Sequence, residues 1–462
     1  MRTGENRQDL TEGAIWEKLL VFFLPIAAGT LFQQLYNTVD AIVVGKFVGT
    51  GALASVGGST AQIIALVIGF FVALSGGAAV IIAQMCGAGG KERIARASQS
   101  AMTFSLLMGL VLTVLGVWLT PSLLRWMGTT ADTLEGSTLY LRIYFCGTVF
   151  NLLFNMGSSI LRAMGDSRRP FYYLIASCIS NIILDLVLVV GCQWGVAGVA
   201  VATVLSQLLS MVLVLWQMCR TREPYRISLC RPGIDRGIMA RMLRIGIPAG
   251  LQASMYSMSN LIVQVGVNTL GTTVVAAWTM TSKVDGIYWA MSNALGTAMM
   301  SFVGQNFGAA RLDRVRKSVR VGLTLFTVLT AVLVAALLAV GRFGLHWFSD
   351  DQEVIAYTWE MLTYFVPYYF VWTSIEVISG MLRGVGDALA PVAITSVGVC
   401  VLRIVWVATV FARFHTVRGI SLCYPVSWFV TAVAMVAYYR SGHWMRPHGE
   451  PKQLRRALFS KE

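Results

Sequence analysis

Long apolar segments recur along the whole chain, and they constrain its fold more than any other feature. Segments of spanning length lie at roughly 18–44, 54–83, 97–119, 137–160, 171–193, 196–219, 244–268, 274–304, 318–341, 357–381, 391–411 and 419–440. A helix needs about 20 apolar residues to cross a bilayer. Hydrophobic residues make up 56% of the chain and charged residues only 13%, which does not suit a soluble domain of this length. The sequence therefore predicts an all-α integral membrane protein with twelve transmembrane helices.

Lysine and arginine are distributed unevenly between the loops that join these segments. Alternate loops, together with both chain ends, carry 28 of the 36 basic residues, and the opposite loops carry five. Basic loops stay in the cytoplasm, so this pattern predicts that the N- and C-termini are both cytoplasmic. The net charge of +14 is then a topology signal, and no nucleic-acid partner is expected. We expect a multi-pass protein of the cell membrane, with the lipid bilayer around it.

Two loop motifs occur twice, in the same order. The pattern L-R-x-x-G-D-x-x-x-P occupies 161–170 and, 221 residues later, 382–391. The pattern Q-x-x-G-A occupies 84–88 and recurs at the same spacing at 305–309. Such duplication predicts two homologous lobes of six helices each, related by a pseudo-two-fold axis along the membrane normal. The predicted domains are an N-lobe at 1–219, a cytoplasmic Arg-rich linker at 220–243, a C-lobe at 244–441 and a cytoplasmic basic tail at 442–462.

The first apolar segment contains a stripe of polar residues. Gln33, Tyr36, Asn37 and Asp40 are spaced i, i+3, i+4, i+7, so a helix places them on one face. A carboxylate near the middle of a spanning helix costs roughly 3 kcal/mol on insertion scales. A role in packing or folding is one explanation for Asp40. We expect instead that Asp40, with Tyr36 and Asn37 beside it, holds and releases a cation.

The fifth segment carries a second acid. Asn181 and Asp185 are one helical turn apart, and Thr203 adds a hydroxyl from the sixth segment. Two carboxylates in one dry cavity cannot both ionise cheaply, so Asp40 and Asp185 should titrate as a unit. The same oxygens, from two carboxylates, an amide and a hydroxyl, also suit Na⁺ as a hard cation. The sequence leaves proton and sodium open.

The repeat makes this candidate site asymmetric. In the second half, the positions equivalent to Asp40, Asn181 and Asp185 are occupied by Ile262 or Val263, Leu402 and Trp406. The sequence therefore favours one cation site, in the N-terminal half.

The second half has charges of its own at membrane depth. Lys283 and Asp285 lie in the eighth segment, Glu376 in the tenth and Arg403 in the eleventh. Glu376 and Arg403 could form a structural ion pair. A duplicated transporter fold has its cavity near the midplane, between the repeats. The residues that we expect to contact a substrate there are Gln33, Gln34, Lys283, Asp285, Trp289 and Glu376.

The sequence gives no sign of an enzyme. No H-E-x-x-H, Walker A or G-x-S-x-G pattern occurs, and the eight cysteines form no C-x-x-C pair. We therefore expect no catalytic residues and no cofactor.

The repeated loop motifs, the two six-helix halves and the acids of the first half together resemble the multidrug and toxic compound extrusion (MATE) family. The resemblance covers roughly residues 10–440 and is closest to the DinF-like branch, which keeps its essential acids in the N-terminal lobe. It implies a secondary active transporter that exports organic, drug-like compounds by antiport with protons or sodium, through alternating access between two lobes. Carried over by motif, it implies a cation site at Asp40, Asn181, Asp185 and Thr203. The seventh helix carries no acid, unlike that of other branches. We expect the protein to be a monomer.

Two alternative functions make different demands on the sequence. A lipid-linked saccharide flippase of the same superfamily would need a cavity lined with Arg and Lys to hold pyrophosphate. Only Arg142, Lys283 and Arg403 lie within the apolar segments. A multispanning membrane enzyme would need His or acidic residues clustered at one membrane face, and the four histidines are dispersed.

Overall fold

A computed structural model describes residues 9–229, 232–346 and 351–445, and every regular element in these ranges is helical. The helices form twelve successive helical segments, some of which are interrupted. The first six are α1 (Ile15–Phe47), α2 (Thr50–Gly57 and Ser59–Gly87), α3 (Lys91–Trp126), α4 (Ala131–Cys146 and Thr148–Ala163), α5 (Arg168–Asp185, continued by the π-helix Leu186–Gly191) and α6 (Gly195–Arg220). The last six are α7 (Arg236–Asn268), α8 (Thr272–Gly308), α9 (Leu312–Leu345), α10 (Gln352–Gly384), α11 (Leu389–Phe411) and α12 (Val417–Ser441).

Most of these helical segments have the length and composition of membrane spans. Among the described residues, nine helices are long and apolar enough to cross a bilayer, and α4 is a tenth if its two parts, bent by 48°, count as one span. The other two, α7 and α8, are long but carry more polar side chains. The predicted all-α membrane fold with twelve helices is confirmed.

The backbone repeats its irregularities as well as its helices. The break in α4 at Gly147 recurs, 221 residues later, as the 3₁₀ turn Val366–Tyr368 that interrupts α10. The π-helix Leu186–Gly191 at the end of α5 recurs at the same spacing as Val407–Phe411 at the end of α11. These two deviations from α-helical hydrogen bonding are therefore properties of the duplicated fold, whereas the break at Gly58 and the π-helix Ser396–Val401 each occur in one half only.

The L-R-x-x-G-D motif forms the same helix-ending turn in both halves. Gly165 and Gly386 have φ of 89° and 95°, and the N–H of the following Asp donates to the carbonyl of the motif's Leu at 3.0 Å and 2.9 Å. This is a Schellman turn, in which glycine satisfies carbonyls that the helix end leaves open. The carboxylate of Asp166 then accepts from the N–H of Arg169 at 3.1 Å, in the first turn of α5. The motif thus ends one helix and starts the next.

The Q-x-x-G-A motif of the second half attaches the start of the chain. Asn306 donates to the carbonyl of the buried Leu10 at 3.0 Å, and Gln305 accepts from its N–H at 3.4 Å. Arg314 donates to the carbonyl of Gly13 at 3.0 Å. These bonds explain why the segment before α1 packs with the C-terminal half.

Contacts divide the chain into two compact units. The main part of the first unit is Leu24–Gly250, and the second unit is formed by Leu10–Phe23 and the chain from Leu251 onward. The beginnings of α1 and α7 thus belong to a different unit from the rest of the same helices. The domain bounds given above remain a prediction. Residues 230–231 of the predicted linker and 446–462 of the predicted tail lie outside the described residues.

The Schellman turn gives a first prediction. Replacing Gly386 by Ala puts a Cβ on a residue with φ of 95°, which costs about 1–2 kcal/mol in the left-handed region. We expect Gly386→Ala, and likewise Gly165→Ala, to lower the temperature of thermal unfolding in detergent. Gly76→Ala is the control, because its Cβ would lie in open space within a regular helix. An equal response of Gly76 and Gly386 would contradict the turn assignment.

Candidate functional site

Two carboxyl groups lie against each other inside the first unit. Asp40 comes from the second half of α1, and Asp185 is the last residue of α5 before its π-helix. The two groups are close enough for their charges to interact, but no hydrogen bond joins them. Asp185 and Asn181 are each only 1% exposed, and Asp40 is half-buried. The structure therefore brings together the two acids that the sequence singled out.

The polar atoms of this pair have no partner of their own. Both carboxylate oxygens of Asp185, one oxygen of Asp40, and the oxygen and nitrogen of the Asn181 amide are buried without a hydrogen bond. Leaving one buried polar atom unsatisfied costs about 1–3 kcal/mol, and more when the group is charged. A cation placed between these oxygens would remove that cost, and so would a proton shared by the carboxyl groups.

Three tyrosines surround the acids. Tyr36, one turn before Asp40 on α1, lies close to both carboxyl groups. Tyr140 and Tyr144, on the first part of α4, stack with ring centroids 6.3 Å apart. The hydroxyl of Tyr140 is within hydrogen-bonding reach of Thr203. The site is therefore built from four helices of one unit: α1, α4, α5 and α6.

Thr203, the fourth predicted ligand of the cation, is oriented by a hydrogen bond to the backbone of its own helix, α6. The Thr203 hydroxyl donates to the carbonyl of Val199 at 3.0 Å, so its lone pairs remain free to face a cation. Gln207, one turn further, is within reach of the Tyr144 hydroxyl, and its own oxygen is buried without a partner. Tyr140 and Tyr144 also belong to an apolar cluster with Val43 and Val44, which closes the site on one side.

The remaining residues of the predicted stripe, and the neighbouring Gln34, are not part of this cluster. Gln33, Gln34 and Asn37 have exposed side chains. Sequence reasoning missed Tyr140 and Tyr144. Their i, i+4 spacing on a helix that follows a polar loop was a usable signal, but nothing in the sequence indicated that this face meets α1.

The equivalent place in the second unit is filled differently. The 221-residue spacing puts Leu402 at the position of Asn181 and Trp406 at that of Asp185, where the indole N–H donates to the carbonyl of Gly419 at 2.8 Å. The positions of Tyr144, Thr203 and Gln207 are taken by Phe365, Tyr424 and Trp428, whose rings pack together. Aromatic packing thus replaces the polar ligands.

The charges of the second unit have partners. Asp285 accepts hydrogen bonds from the Tyr369 hydroxyl and the Trp289 indole. Arg403 is only 3% exposed; it stacks on Tyr424, with 3.9 Å between the guanidinium carbon and the ring centroid. It also donates to Asn260 at 3.2 Å and to Ser427 at 3.3 Å. Lys283, by contrast, is exposed.

One suggested pairing was wrong. Glu376 pairs with Arg383, the arginine of the second loop motif, at 2.7 Å, and not with Arg403. Glu376 and Arg383 are seven residues apart on the same helix, α10, and therefore lie on one face two turns apart. Arg403 instead lies among aromatic rings and neutral acceptors.

The sequence profile of the MatE family matches this chain twice, at residues 25–187 and 248–409, which together are more than half of its length. The protein belongs to the MATE family. Both halves of the duplication match, as the loop motifs predicted. Because MATE proteins are transporters, this membrane protein is not an enzyme.

Relatives of the chain are named for multidrug resistance or multidrug export. The probable multidrug resistance protein YoeA of Bacillus subtilis is 27% identical over 442 residues, covering 94% of this chain and 95% of YoeA. The multidrug export protein MepA of Staphylococcus haemolyticus is 23% identical over 344 residues, covering 74% of this chain and 76% of MepA.

Solved MATE structures share the fold. An outward-facing multidrug resistance MATE transporter superposes with a TM-score of 0.88 at 22% identity, over 96% of this chain and 98% of its own. A MOP superfamily transporter from Pyrococcus furiosus superposes with a TM-score of 0.88 at 22% identity, over 97% and 100%. That structure is described as having a binding pocket of reverse polarity that suggests a different function, so the shared fold alone does not set the activity.

The unpaired carboxylates give a second prediction. Asp185→Asn replaces a buried acid by an amide that can donate to Asp40, so we expect a higher unfolding temperature at neutral pH in sodium-free buffer. Asp285→Asn is the matched comparison. Its amide NH₂ would face one of two existing donors, the Tyr369 hydroxyl or the Trp289 indole. We expect this to lower the free energy of unfolding by about 1–3 kcal/mol.

Thermal unfolding of the two purified variants, side by side with the unchanged protein, measures these shifts. Shifts of the same sign in both would contradict the assignment of Asp185 as unsatisfied and Asp285 as satisfied.

Proposed function

We propose that this MATE protein is a secondary active efflux transporter that exports organic, drug-like compounds in exchange for protons or sodium. The observation that carries the proposal is the pair of Asp40 and Asp185, in which one oxygen of Asp40 and both oxygens of Asp185 are buried without a hydrogen-bond partner. The names of the relatives supply the class of exported compound. The position of the acids in the N-terminal half supports the DinF-like branch.

Each residue of the site has a role in this proposal. Asp40 and Asp185 supply negative charge for the cation, and the oxygens of Asn181 and Thr203 complete its surroundings. A proton would bind between the two carboxyl groups, whereas Na⁺ would use all four residues as ligands. A bound cation then supplies the positive charge that the two carboxylates lack. When the cation leaves, their oxygens are again without a partner.

Exchange requires that cation and substrate favour different states of the transporter. A ligand that binds both states equally shifts neither population. Alternating access between the two lobes, with the cation favouring one state and the substrate the other, meets this requirement.

For the substrate, we keep the polar and aromatic residues proposed from the sequence. Gln33, Gln34 and Lys283 have exposed side chains and can meet a solute directly. Asp285 with Trp289 joins a carboxylate to an aromatic face, a combination that attracts organic cations. Glu376 is a weaker candidate, since Arg383 neutralises its charge.

The membrane arrangement follows from the charge pattern of the loops. We propose that the transporter is a monomer in the plasma membrane, with its N- and C-termini and the Arg-rich linker in the cytoplasm. The N-lobe, linker, C-lobe and basic tail keep the bounds given above.

The role of Asp40 gives the third prediction. Asp40→Asn removes the charge that retains the cation but keeps the size of the side chain, so gradient-driven efflux should be abolished. Asp132→Asn, which changes an exposed carboxylate of the same unit, should leave efflux unchanged. Dye efflux from vesicles with equal amounts of each variant measures this. Undiminished efflux by Asp40→Asn would overturn the cation assignment.

The coupling ion is tested separately. If sodium is the ion, added Na⁺ should raise the unfolding temperature of the unchanged protein at constant pH and leave that of Asp40→Asn unchanged. If the proton is the ion, only a lower pH should have this effect. A response to either ion that persists in Asp40→Asn would place the site elsewhere.

A further inference from the structure

A basic pocket lies at one end of the second unit. It encloses about 470 Å³ between the N-terminal part of α9 and the C-terminal end of α12. Both helices pack against the second part of α10, Tyr369–Gly384, so the pocket lies over the groove between them. Its lining includes four cations and two aromatic side chains: Arg316, Lys317, Arg320, Arg440, Tyr439 and Trp444.

The wall on the α12 side is fixed by the local backbone. Gly442, with φ of 71°, ends α12, and the 3₁₀ turn His443–Met445 folds back over it. The indole N–H of the buried Trp444 donates to the carbonyl of Tyr439 at 3.0 Å, and the two rings stack 5.9 Å apart. Across the pocket, Arg316 donates to the sulfur of Met445 at 2.9 Å. The α12 side of the pocket is therefore ordered, and Arg316 connects it to α9, while the four cations themselves are exposed to an incoming ligand.

The charges of the pocket are unbalanced. Asp313 is the one carboxylate in its lining. Among the described residues, no carboxylate lies within ion-pair distance of Arg316, Lys317, Arg320 or Arg440. Four cations that converge beside a single carboxylate leave a net positive potential that attracts an anion, and guanidinium groups suit phosphate oxygens best.

The helices that form the pocket continue as apolar surface. On α12, Val433, Ala437 and Arg440 are exposed and share one face, so the cation follows directly on apolar turns. On α9, Arg320 is followed by the exposed Thr324, Thr327 and Val328, within a segment, Leu312–Gly341, that is apolar enough to span a bilayer. Cations at the end of an apolar face, beside Tyr and Trp, are typical of the boundary between headgroups and acyl chains.

We propose that this pocket binds the phosphate headgroup of an anionic phospholipid, whose acyl chains lie along the exposed faces of α9 and α12. The phosphodiester of the lipid contributes the missing negative charge. The apolar turns contact its acyl chains, which a free anion lacks. The proposed topology affects only the leaflet from which the lipid comes. With cytoplasmic termini, this is the cytoplasmic leaflet. Binding is independent of transport and can be measured without it.

The test is binding of fluorescently labelled phosphatidylglycerol to the purified full-length protein in neutral detergent. The variant R316Q/K317Q/R320Q should bind it about tenfold more weakly or worse, since each cation near a headgroup strengthens binding severalfold. The charge-matched control R222Q/R226Q/R236Q removes three exposed arginines of the first unit and should bind like the unchanged protein. R316K/R320K keeps the charges and should retain binding, which separates lost charge from lost fold.

Two further arms identify the ligand. Labelled phosphatidylcholine should bind the unchanged protein and the pocket variant equally weakly. Inorganic phosphate should not displace phosphatidylglycerol; if it does so and stabilises the protein equally well, the pocket takes free phosphate and the lipid assignment is wrong. Equal binding by the pocket variant and the unchanged protein, or equal losses in the two triple-glutamine variants, would also overturn the proposal.

Discussion

Inside a bilayer there is no water to bond the backbone, and this constraint governs the whole structure. Every N–H and carbonyl of a span must be satisfied within the protein, which leaves helices as the only regular element in the described residues. The same constraint explains the loop motifs. A Schellman glycine and a capping aspartate satisfy the groups that each helix end exposes, and the duplicated chain uses this solution twice, at Gly165 and Gly386. Two of the helix irregularities in the first unit, at Gly147 and after Asp185, lie on helices that carry residues of the candidate site.

Buried polar side chains also need hydrogen-bond partners. In the first unit, several polar atoms of the candidate site have none. Asp40, Asn181 and Asp185 keep buried polar atoms open, while Thr203 satisfies its own donor on the backbone. A π-helix follows Asp185, yet the second unit has the same π-helix after Trp406. Both halves therefore share the π-helix, but an acid precedes it only in the first half. Function in this protein depends on the side chains set on a symmetric backbone.

The sequence predicted the parts of this structure that depend on local pattern. Apolar length gave the twelve helices, and the 221-residue spacing gave the duplication and its asymmetry. It also paired Asp40 with Asp185, because both are carboxylates within apolar segments of the same half. It did not find Tyr140 and Tyr144, because which faces of α1 and α4 meet depends on packing between helices distant in sequence. The same limit produced the wrong pairing of Glu376: similar depth suggested Arg403, but a partner two turns along the same helix was closer.

Arg403 shows how the second unit solves the problem that the first leaves open. Its guanidinium lies over the ring of Tyr424 and donates to Asn260 and Ser427, with the carboxylate of Asp285 near enough for their charges to interact. A guanidinium stays protonated in proteins, and this one is attached to the chain. The polar groups around Arg403 therefore contact a cation that is part of the chain and cannot leave. Under the proposed function, this difference explains why a fold with two equivalent halves has one exchangeable cation site: only the first unit still lacks the charge that a moving ion can bring.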